Sequence, residues 1–209
     1  MELLTLIRKN YKILFYSVLA FLAVSLVVTF VQPLKYRAQA KVLVVQQFEK
    51  TADPYNASKM NEYLSGLLAK VVSSESFFSQ TIKTSSNIDT NYFSGERKQQ
   101  LKLWSKTVQA KSMYDSGIIT ITVYHPDKTQ AEALANAVIY TLKTTNSFYH
   151  NIQNVDVRVI DSPSLSTLPA KPNIILNVLL GIIFGLIFGI LSIYHTKQSK
   201  ILDKIKSIL

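Results

Sequence analysis

Apolar residues fall along this chain in three rhythms, and each rhythm predicts a different kind of element. Two uncharged runs, Ile13–Val31 and Ile174–Tyr194, are apolar almost throughout. As helices they would reach roughly 28 and 32 Å, matching a hydrocarbon core of about 30 Å, so both are predicted to cross a membrane. Between them the rhythm changes. Ala38, Ala40, Val42 and Val44 alternate with more polar neighbours, which predicts a half-buried strand over Tyr36–Gln46 after Pro33 ends the first helix. Thr107–Met113, Ile118–Tyr124 and Val155–Ile160 also read as strands, with Asp115-Ser116-Gly117 supplying hairpin chemistry between the first two.

The third rhythm is the three-and-four spacing of amphipathic helices. After a turn at Asp53-Pro54, apolar residues fall at Met60, Tyr63, Leu64, Leu67, Leu68, Val71 and Val72, predicting a helix from Ser58. Ser73-Ser74-Glu75 interrupts it or caps a second helix through Phe77, Phe78 and Ile82. Thr84–Gly95 reads as a loop, and Glu96–Lys106 as a short helix or a lead-in to a strand. Pro126-Asp127 opens the most regular helix, with Asp127 as N-cap, Gln130 completing a capping-box pattern, and a stripe of Ala131, Leu134, Ala135, Val138, Ile139 and Leu142. The expected fold is α+β: two transmembrane helices flanking one extracytoplasmic domain with a roughly four-stranded sheet and two or three helices.

Charge sets the expected orientation. Arg8, Lys9 and Lys12 precede the first run, and Lys197, Lys200, Lys204 and Lys206 follow the second. Positive flanks are retained in the cytoplasm, whereas long loops translocate largely regardless of charge. This predicts a cytoplasmic N-terminus at 1–12, spans at 13–31 and 174–194, an extracytoplasmic domain at 32–173 with a proline-rich connector at 161–173, and a cytoplasmic basic tail at 195–209. A cleaved signal peptide is the rival for the N-terminus, with Ala38-Gln39-Ala40 as its mimic of a cleavage site. The long apolar run and the charges at Lys35 and Arg37 argue against it.

Composition narrows the function classes. About half of the net charge of +10 sits in the two terminal segments, where membrane topology accounts for it, and the remainder is spread thinly. Nucleic acid is therefore not an expected partner, while an anionic glycan or lipid headgroup is compatible with the charge. The absence of cysteine excludes disulfides and thiolate chemistry. His125, His150 and His195 are far apart without metal-ligand spacing, so no metal site is expected. No phosphate-cradling glycine loop is present, no cofactor is expected, and Glu62, Glu75, Asp127 and Glu132 occur singly as surface or capping groups. Asn56-Ala57-Ser58 is a glycosylation sequon by pattern alone. Nothing assembles a catalytic constellation, and the protein is not expected to be an enzyme.

Three features stand above this background. Gly181, Gly185 and Gly189 are spaced by four, drifting only about 40° per step, so they form one small-residue groove along the second run. Its partner is equally the first span, a sister subunit or another protein. Pro163, Pro169 and Pro172 stiffen the connector toward an extended conformation. In the tail, Ile201, Leu202, Ile205, Ile208 and Leu209 share an arc, with Lys197, Lys200 and Lys204 off it. That pattern fits a basic amphipathic helix on a membrane and equally a solvated positive stretch.

The order of these features resembles the Wzz-like polysaccharide co-polymerases, the chain-length determinants of bacterial surface glycans. The matching points are the basic start before the first span, Tyr36-Arg37-Ala38 leading into a strand, and Pro126–Ala137 with Ala131, Ala135 and Asn136. Val159-Ile160-Asp161, the three prolines and the glycine-bearing second span complete them. The resemblance implies a non-catalytic scaffold of the bacterial cytoplasmic (inner) membrane, with both termini cytoplasmic. It implies a ring-like homo-oligomer acting with a Wzy-type polymerase and a lipid-linked glycan to set polymer length.

With no room for a long helical arm, the chain looks like the compact adaptors of capsular and exopolysaccharide tyrosine-kinase systems. The missing phosphate loop and short tail then lead to the expectation of a separate cytoplasmic tyrosine kinase, with Lys197, Lys200, Lys204 and Lys206 as kinase or lipid contacts. The readings from other classes are a membrane-anchored envelope sensor or ligand-binding module, and an enzyme acting on envelope glycan.

Overall fold

The computed structural model describes residues 9–47, 53–84 and 87–206, with the side chains of 197 and 199–206 outside the described set. Arg8 and the apolar arc of the tail also lie outside it. In chain order the elements are α1 (Tyr11–Val31), β1 (Tyr36–Gln46), α2 (Pro54–Val71), α3 (Glu75–Thr84), α4 (Arg97–Thr107), β2 (Val108–Ser112), β3 (Ile118–His125), α5 (Lys128–Thr145), β4 (Val155–Leu165) and α6 (Ile174–Lys206). Short 3-10 turns at Thr90–Phe93 and Asn146–Tyr149 complete them. The chain divides into two compact units, Leu34–Lys171 and the remainder formed by Met1–Pro33 and Pro172–Leu209.

The Leu34–Lys171 unit is built on one antiparallel sheet of order β2-β3-β1-β4. β1 matches the expected span residue for residue, because its alternation leaves one face to bury: Ala38, Ala40, Val42 and Val44 are all essentially inaccessible. Ala38 pairs with Val123, Ala40 with Ile121 and Val42 with Ile119, so the inner face of β3 continues the same apolar layer. Helices cover that layer. Leu64 and Leu68 of α2, Phe77 and Phe78 of α3, Trp104 of α4, and Ala131, Leu134, Ala135, Val138 and Leu142 of α5 close one contiguous core. Fully burying a side chain such as Leu or Val contributes about 1.5–3 kcal/mol, so this layer is the main source of stability in a domain without disulfides. The opposite sheet face is mixed: Leu43 pairs with Ile118 on it, while Lys111, Thr120 and Lys41 stand in register across three strands, with Lys41 paired to Asp161 on β4 at 3.0 Å.

Several elements differ instructively from their expected form. Asp53-Pro54 is a helix start rather than a free turn. Asp53 Oδ1 accepts from Tyr55 N at 3.3 Å and Pro54 occupies the first helical turn, where its missing amide is harmless. On α2 the buried face is Leu64, Ser65, Leu68 and Ala69, while Tyr63 is 60% exposed. Ser65 can be buried because its hydroxyl meets Ser112 Oγ at 3.0 Å and the Ser116 carbonyl at 3.1 Å. Glu96–Lys106 resolves as helix α4, anchored by Trp104, whose Nε1 donates to the Val72 carbonyl at 2.8 Å.

The capping of α5 is only half reciprocal. Asp127 Oδ1 accepts from Thr129 N and Gln130 N, but Gln130 does not return to Asp127. Its side chain bridges outward to Asp89 N and the Asn87 carbonyl, while Asp127 N donates to His125 Nδ1 at 3.0 Å. At the β2–β3 turn Asp115 adopts φ +53, and a Cβ on Gly117 would run into the Val44 carbonyl oxygen. That position is therefore closed to other residues.

Two substitutions separate packing from backbone freedom. Trp104→Phe keeps an aromatic ring but orphans a buried carbonyl, and is expected to lower stability by about 1–3 kcal/mol. Gly66→Ala, where an added Cβ meets nothing within 4 Å, is expected to raise it by roughly 0.5–1 kcal/mol by restricting the unfolded chain. Chemical denaturation of the full chain in detergent reads both.

Candidate functional site

The Met1–Pro33 and Pro172–Leu209 unit contains two helices long and apolar enough to cross a membrane, Tyr11–Val31 and Ile174–Thr196. Large apolar side chains such as Phe15, Val24, Phe30, Ile175 and Leu191 stand exposed on their outer surfaces. The two helices meet along the face that carries Gly181, Gly185 and Gly189. A Cβ added to Gly181 would lie 3.0 Å from Ser25 Cβ, one on Gly185 2.6 Å from Val18 Cα, and one on Gly189 3.2 Å from Leu14 Cα. The groove thus receives the backbone of α1, and side chains at these positions would force the helices apart.

A polar ladder runs along the same contact. Ser17 Oγ donates to the Gly185 carbonyl at 2.9 Å, and Ser25 Oγ donates to the Asn177 carbonyl at 2.6 Å. Asn177 Nδ2 donates to Thr29 Oγ1 at 3.0 Å, and Thr29 in turn donates to the Ser25 carbonyl at 2.7 Å. Phe21 and Phe188 stack between these rungs, their centroids 4.9 Å apart. Without water, such side chains must find partners within the protein, and each interhelical bond adds roughly 1 kcal/mol or less. The glycines are legible as a groove in the sequence, whereas the series that fills it emerges only from the structure. Its signal is present all the same: Ser17, Phe21, Ser25 and Thr29 keep the same four-residue register as Asn177, Gly181, Gly185 and Gly189.

The three prolines fall in different settings. Pro163 lies inside β4, which runs five residues beyond the expected Ile160. Lys41 pairs with Asp161 and Gln39 with Ser164, so an extra residue is accommodated beside Pro163 as a bulge on an edge strand, the place where a missing donor is tolerated. Ser166 N then donates to the Arg37 carbonyl at 2.8 Å, and Ala170 N to the Lys35 carbonyl at 2.7 Å. The 161–171 segment is therefore stiffened by pairing with β1 rather than by polyproline geometry alone. Pro169 is half-buried just before this last contact, and Pro172 is buried at the start of the other unit.

The helical backbone continues through Lys206, so Lys197, Lys200, Lys204 and Lys206 follow the span without a break. Their side chains lie outside the described residues. The three histidines are separately engaged or exposed: His125 is buried against Tyr92 at 4.2 Å between centroids, His150 Nδ1 accepts from Ile152 N at 3.4 Å, and His195 is exposed. Glu62 pairs with Lys59 at 2.8 Å, Glu75 pairs with Arg97 at 2.7 Å, and Asp127 caps α5. Hydrogen bonds from Lys59 hold the Glu62 carboxyl below its ordinary range.

Burial pushes the His125 pKa down from its ordinary value of about 6.5. The unfolded chain therefore binds more protons than the folded one as pH falls below about 6.5, and the contribution of neutral His125 to stability, complete above that pH, is lost on acidification. His125→Asn, whose Oδ1 keeps the acceptor for Asp127 N without titrating, is expected to flatten the decline in thermal stability between about pH 7 and 5. An identical pH profile in the variant would assign the decline to other groups. Because the chain has no cysteine, a Phe21→Cys, Phe188→Cys pair reports directly on the helix contact. It is expected to crosslink efficiently, and Gly185→Leu to abolish the crosslink while leaving membrane insertion intact.

The family model described as Wzz, chain length determinant protein, matches residues 1–89, which hold α1, β1, α2 and α3. This match supports the Wzz-like polysaccharide co-polymerase family. No curated protein matches the chain.

Proposed function

We propose that this protein is a non-catalytic scaffold of the inner membrane that regulates chain length in bacterial surface polysaccharide. The observation that carries the reading is the match of residues 1–89 to the chain length determinant family, set in a chain whose two apolar helices bracket an α+β domain. In this reading copies of the chain assemble as a ring, both termini face the cytoplasm, and the domain at 32–173 lies outside it. A Wzy-type polymerase elongates a lipid-linked glycan beside the assembly, and the scaffold determines when elongation stops.

The packed glycine seam gives the scaffold a defined transmembrane pair, and the pairing of residues 161–171 with β1 gives it a stiff exit from the domain. The lysines of the tail are the surface through which a separate cytoplasmic tyrosine kinase or the inner leaflet would be engaged. The glycan belongs to the class of O-antigen, capsular or exopolysaccharide.

The test is the length distribution of surface and released polysaccharide, resolved on gels, in cells with and without the gene. Loss of a defined modal length on deletion, restored by the wild-type chain, is the expected outcome. Gly185→Leu is expected to shift the modal length at unchanged protein abundance, as is the Pro169→Ala, Pro172→Ala pair. A polysaccharide profile unchanged by deletion would overturn the reading and bring forward an envelope sensor.

A further inference from the structure

The residue before β1 and the segment after β4 bring two cations together at one end of the Leu34–Lys171 unit. Lys35 and Lys171 are joined through their backbones: Lys35 N donates to the Lys171 carbonyl at 3.0 Å, and Lys171 N donates back to the Lys35 carbonyl at 3.2 Å. Their ammonium groups meet aromatic partners instead of carboxylates. Lys171 Nζ lies 3.8 Å from the centroid of the Tyr124 ring, and Lys35 Nζ donates to Tyr92 Oη at 3.3 Å. On the other face of the sheet, Lys128 Nζ sits 4.6 Å over the Tyr36 ring and donates to the Thr167 carbonyl at 3.3 Å.

Among the described residues no ion pair involves Lys35 or Lys171: the ion pairs use Lys41, Lys59, Arg97 and Arg158. Two carboxylates, Asp89 and Asp127, lie at this end, and both are engaged as helix caps, Asp89 with Asn91 N and Asp127 with Thr129 N and Gln130 N. Burial pushes the Lys171 pKa down, and the charge of Lys35 adds to the shift. A tyrosine ring orients an ammonium at small energetic gain and leaves most of its charge available.

Chain connectivity says where these charges act. Lys35 follows Val31 by four residues and Lys171 precedes Ile174 by three, so each α-carbon is within roughly 14 Å of the end of an apolar helix. Tyrosine rings and long basic side chains are the groups suited to headgroup depth. The backbone amides of Lys35 and Lys171 are consumed by their own bridge. They offer no amide cradle to wrap a free anion, only side-chain charge.

We propose that Lys35 and Lys171 bind the phosphate of an anionic membrane lipid. Each ammonium supplies one charge-assisted hydrogen bond to the phosphate oxygens, and the anion removes the repulsion between the two lysines. The site does not depend on the chain-length reading and would stand if glycan length were unaffected by the protein.

The experiment uses the full chain in phosphatidylcholine vesicles containing spin-labelled phosphatidylglycerol, with Lys197, Lys200, Lys204 and Lys206 all replaced by Gln so that the tail does not contribute. The immobilised lipid fraction gives the preference for phosphatidylglycerol over labelled phosphatidylcholine. Lys35→Gln and Lys171→Gln are each expected to lower that preference by about fivefold, the attraction of one cation near a surface. Both substitutions leave the backbone bridge in place, and Lys35→Arg with Lys171→Arg is expected to restore binding. Lys111→Gln, which removes the same single charge elsewhere in the domain, is expected to change nothing. Equal loss in that control, or no loss in the Gln variants, overturns the proposal. Abolition of the preference by inorganic phosphate, but not by chloride at the same ionic strength, overturns the lipid as the source and assigns a free-anion site.

Discussion

The hydrogen-bonded ladder of β1 is the constraint on which the Leu34–Lys171 unit rests. It lies between β3 and β4, so both of its edges are satisfied, and its inner face supplies four of the least accessible side chains in the core. Its register fixes which face of β3 turns inward, since a slip of one residue would expose Ile119, Ile121 and Val123 together. The same strand also organises the segment after β4. Arg37 and Lys35 hold Ser166, Ala170 and Lys171 by main-chain bonds, so the two ends of the domain leave from adjacent positions. A single strand therefore defines the core, the sheet order and the spacing of the exits.

In the other unit the governing interaction is close backbone approach. Three glycines remove the side chains that would separate α6 from α1, and hydroxyl and amide groups then bridge the short distance that remains. The two effects reinforce each other, because hydrogen bonds between helices need short separations and small residues provide them. Dispersion contacts such as Phe21 against Phe188 fill the interval between rungs. This is a different economy from that of the sheet domain, where burial from water supplies the driving force.

Where a single periodicity dominates, the sequence is readable almost to the residue. β1, the β2–β3 hairpin and the stripe on α5 are such cases, because alternation or three-and-four spacing leaves only one face to bury. Legibility fails where a side chain's partner is distant in sequence. Gln130 reads as the second half of a local capping box, yet Asn87 and Asp89 compete for it and win. Tyr63 fits the apolar stripe of α2 by spacing, but Ser65 displaces it inward because Ser112 and Ser116 satisfy its hydroxyl. Pro163 suggests the end of regular structure. On an edge strand with a bulge it removes a donor that nothing requires. In the candidate site the glycine face is legible and its partner is not, since spacing alone carries no information about which surface fills a groove.

That partner bears on how copies of such a chain could assemble. The glycine face is filled by α1 of the same chain, with Val18 and Leu14 backbone atoms occupying the space that side chains would take. A second copy cannot use this face without first separating the two helices, and separation would leave Asn177, Ser25 and Thr29 without their partners in a medium that offers no replacements. In the proposed ring, contacts between neighbouring chains would therefore fall to the outward apolar surfaces of the two helices or to the Leu34–Lys171 unit. The glycine seam acts within one chain, setting the geometry of its helical pair. A bulky residue at Gly185 would accordingly disturb each protomer first, and any change in assembly would come from that disturbance rather than from the loss of a contact between copies.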